Sequence, residues 1–149
     1  MPKLLEIENL WVDFQVPMGP IQAVNGISYA VDTGETVAVV GESGCGKSVS
    51  ALAILGLVPS PPGRVADGSI RFEGRDLLGL AEDEIRLVRG REIAMVFQEP
   101  MTSLNPVLNI GVQVTEAMQR HLGLTRKQAM DRAIELLVMV GISEPERRL

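Results

Sequence analysis

The chain has 149 residues, and its 14 lysines and arginines against 19 aspartates and glutamates leave a formal net charge of −5. That length suits one ordinary domain, and 46% hydrophobic residues against 22% charged ones describe a packed core, not a disordered tail. The acidic balance argues against nonspecific nucleic-acid binding, which needs basic surface to neutralise phosphates, and the single cysteine, Cys45, excludes an internal disulfide framework.

With aromatics at only 3%, the core must be aliphatic. The N-terminal stretch carries Glu6, Glu8 and Asp13 and does not read as a signal peptide. The longest uncharged run, between Lys47 and Arg64, is broken by Pro59, Pro61 and Pro62 and is under the ~18 residues a membrane span needs. A soluble, cytoplasmic α/β domain is expected, held at any membrane by a partner.

Residues 3–40 read as strands with turns. Short apolar runs around Leu4, Ile7 and Leu10 to Phe14 precede a loop at Val16 to Pro20, and β-formers return from Ile21 to Val31. The continuous run Thr36 to Val40 predicts a strand buried on both faces of a parallel sheet. After it, Val49 to Val58 predicts an apolar helix ending before Pro59, and residues 59–63 a loop. Ser69 to Glu73 predicts a strand with its turn at Gly74-Arg75-Asp76, Glu82 to Val88 a short helix, and Ile93 to Phe97 a second buried strand. A polar loop from Gln98 to Asn105 follows.

From Pro106 onward the pattern is helical. Thr125 with Gln128 fits a capping box, and Ala129, Ala133, Leu136, Leu137 and Val140 recur at helical spacing. Asp131 and Glu135 read as the solvated face of that helix, His121 as a surface or helix-end histidine, and Gly141 as the helix stop. Ser143, Pro145 and Glu146 read as the start of another helix, barely begun at Leu149, as in part of a longer protein.

Between the Thr36–Val40 run and the apolar helix, Gly41, Gly46, Lys47 and Ser48 satisfy the spacing G-x-x-x-x-G-K-[ST]. Chance produces these fixed positions in roughly one chain in a few hundred of this length. Glycines allow a wide loop whose inward N–H groups form an anion-binding nest, and the helix start adds unpaired donors and the positive end of its dipole. Lys47 can reach β- and γ-phosphate oxygens, and Ser48 offers a hydroxyl to Mg²⁺, which prefers oxygen ligands. Cys45 reads as a small residue tolerated in that loop.

The segments VVGESGCGKS, GSIRFEGRDLL, RGREIAMVFQEPMTSLNP and ENLWVDFQVPMGPIQAVNGISYAV together resemble the ATP-binding subunits of ABC importers for dipeptides, oligopeptides and, in some members, nickel. The resemblance runs from about Leu4 to the last residue. It implies an α/β P-loop NTPase core, the ABC nucleotide-binding domain, with an N-terminal antiparallel β subdomain and the start of a helical subdomain, truncated. Residues 1–105 would hold the β subdomain and P-loop core with the Q-loop, and residues 106–149 the beginning of the helical subdomain.

The resemblance also implies roles. Gly41, Ser43, Gly44, Cys45, Gly46, Lys47, Ser48 and Val49 would surround ATP, with Lys47 acting on its phosphates and Ser48 holding Mg²⁺. Gln98 would help hold Mg²⁺ and the attacking water. Phe14 is the candidate to stack on adenine, although its position reads slightly better as an ordinary strand core residue. The family's LSGGQ-type signature, Walker B strand and switch histidine do not occur in residues 1–149. The implied partners are integral membrane permease subunits, a second, identical or homologous ATP-binding subunit forming a dimer, and indirectly an external solute-binding protein, with no nucleic acid. The implied location is peripheral, on the cytoplasmic face of the inner membrane. A small P-loop kinase and a nucleotide-binding module without turnover stand as the competing readings.

Overall fold

The computed structural model describes residues 3–97 and 103–149. The chain divides into two compact units, the first ending at Arg86 and the second running from Leu87 to Leu149.

The first unit is built on an antiparallel sheet of four strands, β1 (Leu5–Val16), β2 (Gly19–Val31), β3 (Gly63–Phe72) and β4 (Arg75–Asp76), in the order β2-β1-β3-β4. β1 is central and pairs with both long neighbours. Its residues Ile7, Leu10 and Val12 are essentially inaccessible, as is Ile70 on β3. Strict alternation would set Ile7 and Leu10 on opposite faces. An irregularity in the register between them, with Asn9 at φ 49°, brings both to the core.

A second irregularity lies next to the site described below. Val12 pairs with Val24, but Asp13 pairs with Gln22. Ala23 is therefore the extra residue of a β-bulge, a device that bends a strand and re-aims its side chains. The loop expected at Val16 to Pro20 is a tight hairpin, since Val16 already pairs with Gly19.

α1 (Lys47–Ile54) packs against β1 and β2, burying Ser50 and Ala53. It stops short of the expected Val58 because Gly56 turns left-handed at φ 60°. β3 begins at Gly63, earlier than the expected Ser69, and the expected turn residues Arg75 and Asp76 form β4, with Glu73-Gly74 as the turn. Two glycines permit the long β3. A Cβ on Gly63 would stand 2.7 Å from Val58 and 3.0 Å from the Phe14 ring, and one on Gly68 would overlap the Asn9 carbonyl oxygen.

Two expected strands are not formed. Thr36 to Val40 and Ile93 to Phe97 carry no ladder; Ile93 makes only an isolated bridge to Arg89. A strand exists through a hydrogen-bonded neighbour along its length, and among the described residues neither segment has one beyond that single bridge. Their β-branched side chains face solvent, Val40 at 86% and Val96 at 96% exposure.

α2 (Glu82–Val88) forms over the expected residues. The second unit contains α3 (Ile110–Leu122), α4 (Arg126–Met139) and α5 (Pro145–Arg148). α3 and α4 pack together, with Ala129, Ala133 and Thr115 buried. The capping box is present: Thr125 Oγ1 accepts from the Gln128 N–H, and Gln128 Oε1 accepts from the Thr125 N–H. No helix among the described residues is long and apolar enough to cross a membrane.

Candidate functional site

The site grows from the first turn of α1. Its N-cap residue, Gly46, is left-handed at φ 92°, and no side chain caps this end. A Cβ on Gly46 would collide with the carbonyl oxygen of Ala23, the bulged residue of β2. Glycine is required here twice, for the dihedral and for the close approach. Gly44 is also left-handed, at φ 82°, but faces open space, whereas a Cβ on Gly41 would stand 2.6 Å from Cys45 Sγ.

The first intrahelical bond runs from the Ser50 N–H to the Gly46 carbonyl at 2.8 Å. The amides of Lys47, Ser48 and Val49 precede it and have no intrahelical acceptor. They point out of the helix start together with the positive end of its dipole. Ser50, buried, donates its hydroxyl to the Lys47 carbonyl at 2.7 Å and fixes this turn from below.

Lys47 folds back over the loop. Its ammonium donates to the carbonyl oxygens of Gly41 at 2.7 Å and Glu42 at 2.6 Å, and lies 3.5 Å from Cys45 Sγ. One positive charge therefore belongs to the same loop and helix start as the amides of Lys47, Ser48 and Val49, which have no intrahelical acceptor, a combination that suits a polyphosphate. The Ser48 residue is exposed. Among the described residues, no cluster of three or more His, Cys, Asp or Glu is placed to hold a metal ion. Magnesium, however, is commonly carried by few protein oxygens plus the substrate's phosphates, and the Ser48 hydroxyl at the helix start fits that part.

A pocket of about 420 Å³ opens beside the loop. Gly44, Cys45, Gly46 and Lys47 form one wall, and Gln22, Ala23, Val24, Asn25 and Ile27 of β2 form another, with Val39, Val40 and Ser50 completing the lining. The expected residues Gly41, Ser43, Ser48 and Val49 belong to the same loop and helix start without lining the pocket. Phe14 does not line it either; its ring lies against Gly63. Gln98 lies outside the described residues. The β2 wall was not legible in the sequence, because alternation carries no trace of the bulge that turns it toward the loop.

A glycine-rich loop leading into a helix N-terminus, with a lysine folded across it, defines a P-loop nucleotide-binding protein. The family model for ABC transporters matches residues 24–149, and the chain belongs to that family. The chain is 49% identical over 147 residues to the oligopeptide transport ATP-binding protein OppD of Bacillus subtilis strain 168, covering 99% of this chain and 41% of that protein. It is 49% identical over 146 residues to the dipeptide transport ATP-binding protein DppD of Escherichia coli strain K12, covering 98% of this chain and 44% of that protein. The chain thus spans less than half the length of these relatives. Its fold matches the dimeric post-hydrolysis structure of the ATP-binding cassette MJ0796 bound to ADP and Pi, with a TM-score of 0.79 at 23% identity, over 94% of this chain and 58% of that one.

Proposed function

We propose that this chain supplies the ATP-binding cradle of a subunit that energises import of peptides or related small solutes. The observation that carries the reading is the Lys47 ammonium set within the uncapped start of α1. On binding, phosphate oxygens replace the Gly41 and Glu42 carbonyls as acceptors for Lys47. The ammonium then faces an oppositely charged oxygen in place of a neutral carbonyl, which adds ion–ion attraction to the bond. The amides of Lys47, Ser48 and Val49 at the helix start take the remaining oxygens, and Ser48 presents its hydroxyl to the phosphate side. Magnesium, when bound, neutralises phosphate charge and polarises the terminal phosphoryl group.

Gln98 is the candidate to hold magnesium and the attacking water, and Phe14 the candidate to stack on the base. Residues 106–149 begin the helical subdomain. The working unit is a dimer of two ATP-binding subunits on membrane permeases at the cytoplasmic face of the inner membrane, served indirectly by an external solute-binding protein. The names of OppD and DppD and the dimeric state of the MJ0796 cassette support this reading.

A narrower reading has its own observation. No carboxylate is among the described residues that line the pocket, and phosphoryl transfer to water needs a group that orients the nucleophile. The chain by itself then binds nucleotide without turnover.

Calorimetric titration with Mg-ATP tests the cradle. Binding to the chain, with strong loss in Lys47→Ala, is expected. Absence of binding overturns the proposal. Phosphate release measured on the same sample separates the two readings.

A further inference from the structure

The P-loop accounts for one wall of the pocket and leaves the other unexplained. Gln22 and Asn25, both exposed residues of β2, line it opposite Gly44 to Lys47. They are three positions apart, a spacing that regular pleating would split between two faces. The bulge at Ala23 reconciles them with one cavity. The same bulge brings the Ala23 carbonyl against Gly46, so β2 touches the loop that receives the phosphates.

We propose that Gln22 and Asn25 form a carboxamide wall that hydrogen-bonds the ribose hydroxyls of the bound nucleotide. This rests on the reading of the loop as an ATP cradle. A chain of phosphates anchored at Gly44 to Lys47 has the sugar as its next group, and the pocket beside that anchor is bounded by β2. A carboxamide offers both donors and an acceptor, matching a hydroxyl that donates and accepts. It is also uncharged, so it does not repel the phosphates as a carboxylate would. Ala23 and Val24 between the two amides present only apolar side chains, which leaves Gln22 and Asn25 as the polar side chains of the β2 wall.

The test uses the 149-residue chain, with Gln22→Ala and Asn25→Ala variants. Both residues are exposed, and circular dichroism confirms that each variant folds. Calorimetry compares Mg-ATP, Mg-2′,3′-dideoxyATP and inorganic tripolyphosphate. In the wild type, ATP should bind more tightly than the dideoxy analogue. Each variant should lose about 3- to 10-fold in ATP affinity, the worth of an ordinary hydrogen bond. The variants should keep their affinity for tripolyphosphate and bind ATP and the dideoxy analogue more nearly alike. Unchanged ATP affinity in both variants, equal losses for ATP and tripolyphosphate, or a wild type indifferent to the ribose hydroxyls overturns the wall while the cradle stands. A wild type that binds neither ATP nor tripolyphosphate overturns the cradle, and the wall with it.

Discussion

The Lys47 ammonium lies 2.7 Å from the carbonyl oxygen of Gly41, six residues earlier in the same loop. The lysine closes its own loop with a bond that a phosphate must displace. The resting contact is to a neutral carbonyl and the bound contact to a charged oxygen, so the exchange favours ligand. Lys47→Ala should therefore weaken Mg-ATP binding by about 10- to 100-fold, the range of a charged hydrogen bond. Calorimetry reads the loss; an affinity unchanged by the substitution would remove Lys47 from the site.

Gly46 and Gly44 separate dihedral strain from collision. Both are left-handed, but only Gly46 has a backbone oxygen in the way of a Cβ. Gly44→Ala should cost about 1–2 kcal/mol, the left-handed penalty alone. Gly46→Ala should cost more and should also abolish ATP binding, because the loop must leave β2. Thermal unfolding of the two variants, with calorimetry on each, checks the order.

Cys45 is exposed and its sulfur lies 3.5 Å from the Lys47 ammonium, on the pocket wall. If the loop is the proposed ATP cradle, a maleimide attached there would occupy the space of the phosphates. Labelling should block ATP binding, and prior Mg-ATP should slow labelling. Mass spectrometry on a time course reads the rate. Equal rates with and without nucleotide would place the phosphates elsewhere.

Much of this was legible because the signal was local. The P-loop is a short stretch of backbone chemistry, α2 has acids in its first turn and Arg86 in its last, and the Thr125–Gln128 box forms as the sequence predicts. What failed depended on distant partners. Thr36 to Val40 and Ile93 to Phe97 have strand composition, but composition supplies no neighbour to pair with. The pocket-lining role of Gln22 and Asn25 follows from a bulge set by the register of β1 against β2, which neither strand encodes alone. Gly63 and Gly68 lie inside β3 partly because of Phe14 and Asn9, residues far from them in sequence.

The Thr125 cap offers a test within the second unit. Thr125→Ala removes the hydroxyl that accepts from the Gln128 N–H and should cost about 0.5–2 kcal/mol. The melting temperature should fall by several degrees, about 2–8 °C per kcal/mol in domains of this size range, with ATP affinity unchanged. A fall in affinity matching the fall in stability would show that the cap supports the site.

Among the described residues the segment from Thr36 to Val40 pairs with no strand; it runs straight into Gly41, and its Val39 and Val40 line the pocket. Any chain that zippers onto this segment tethers the upstream end of the loop, while Gly46 against Ala23 already anchors the downstream end. Tethering and nucleotide capture then become reciprocal: whatever strengthens one must strengthen the other by the same free energy. The cradle would thus respond through its own backbone to whatever pairs with this segment.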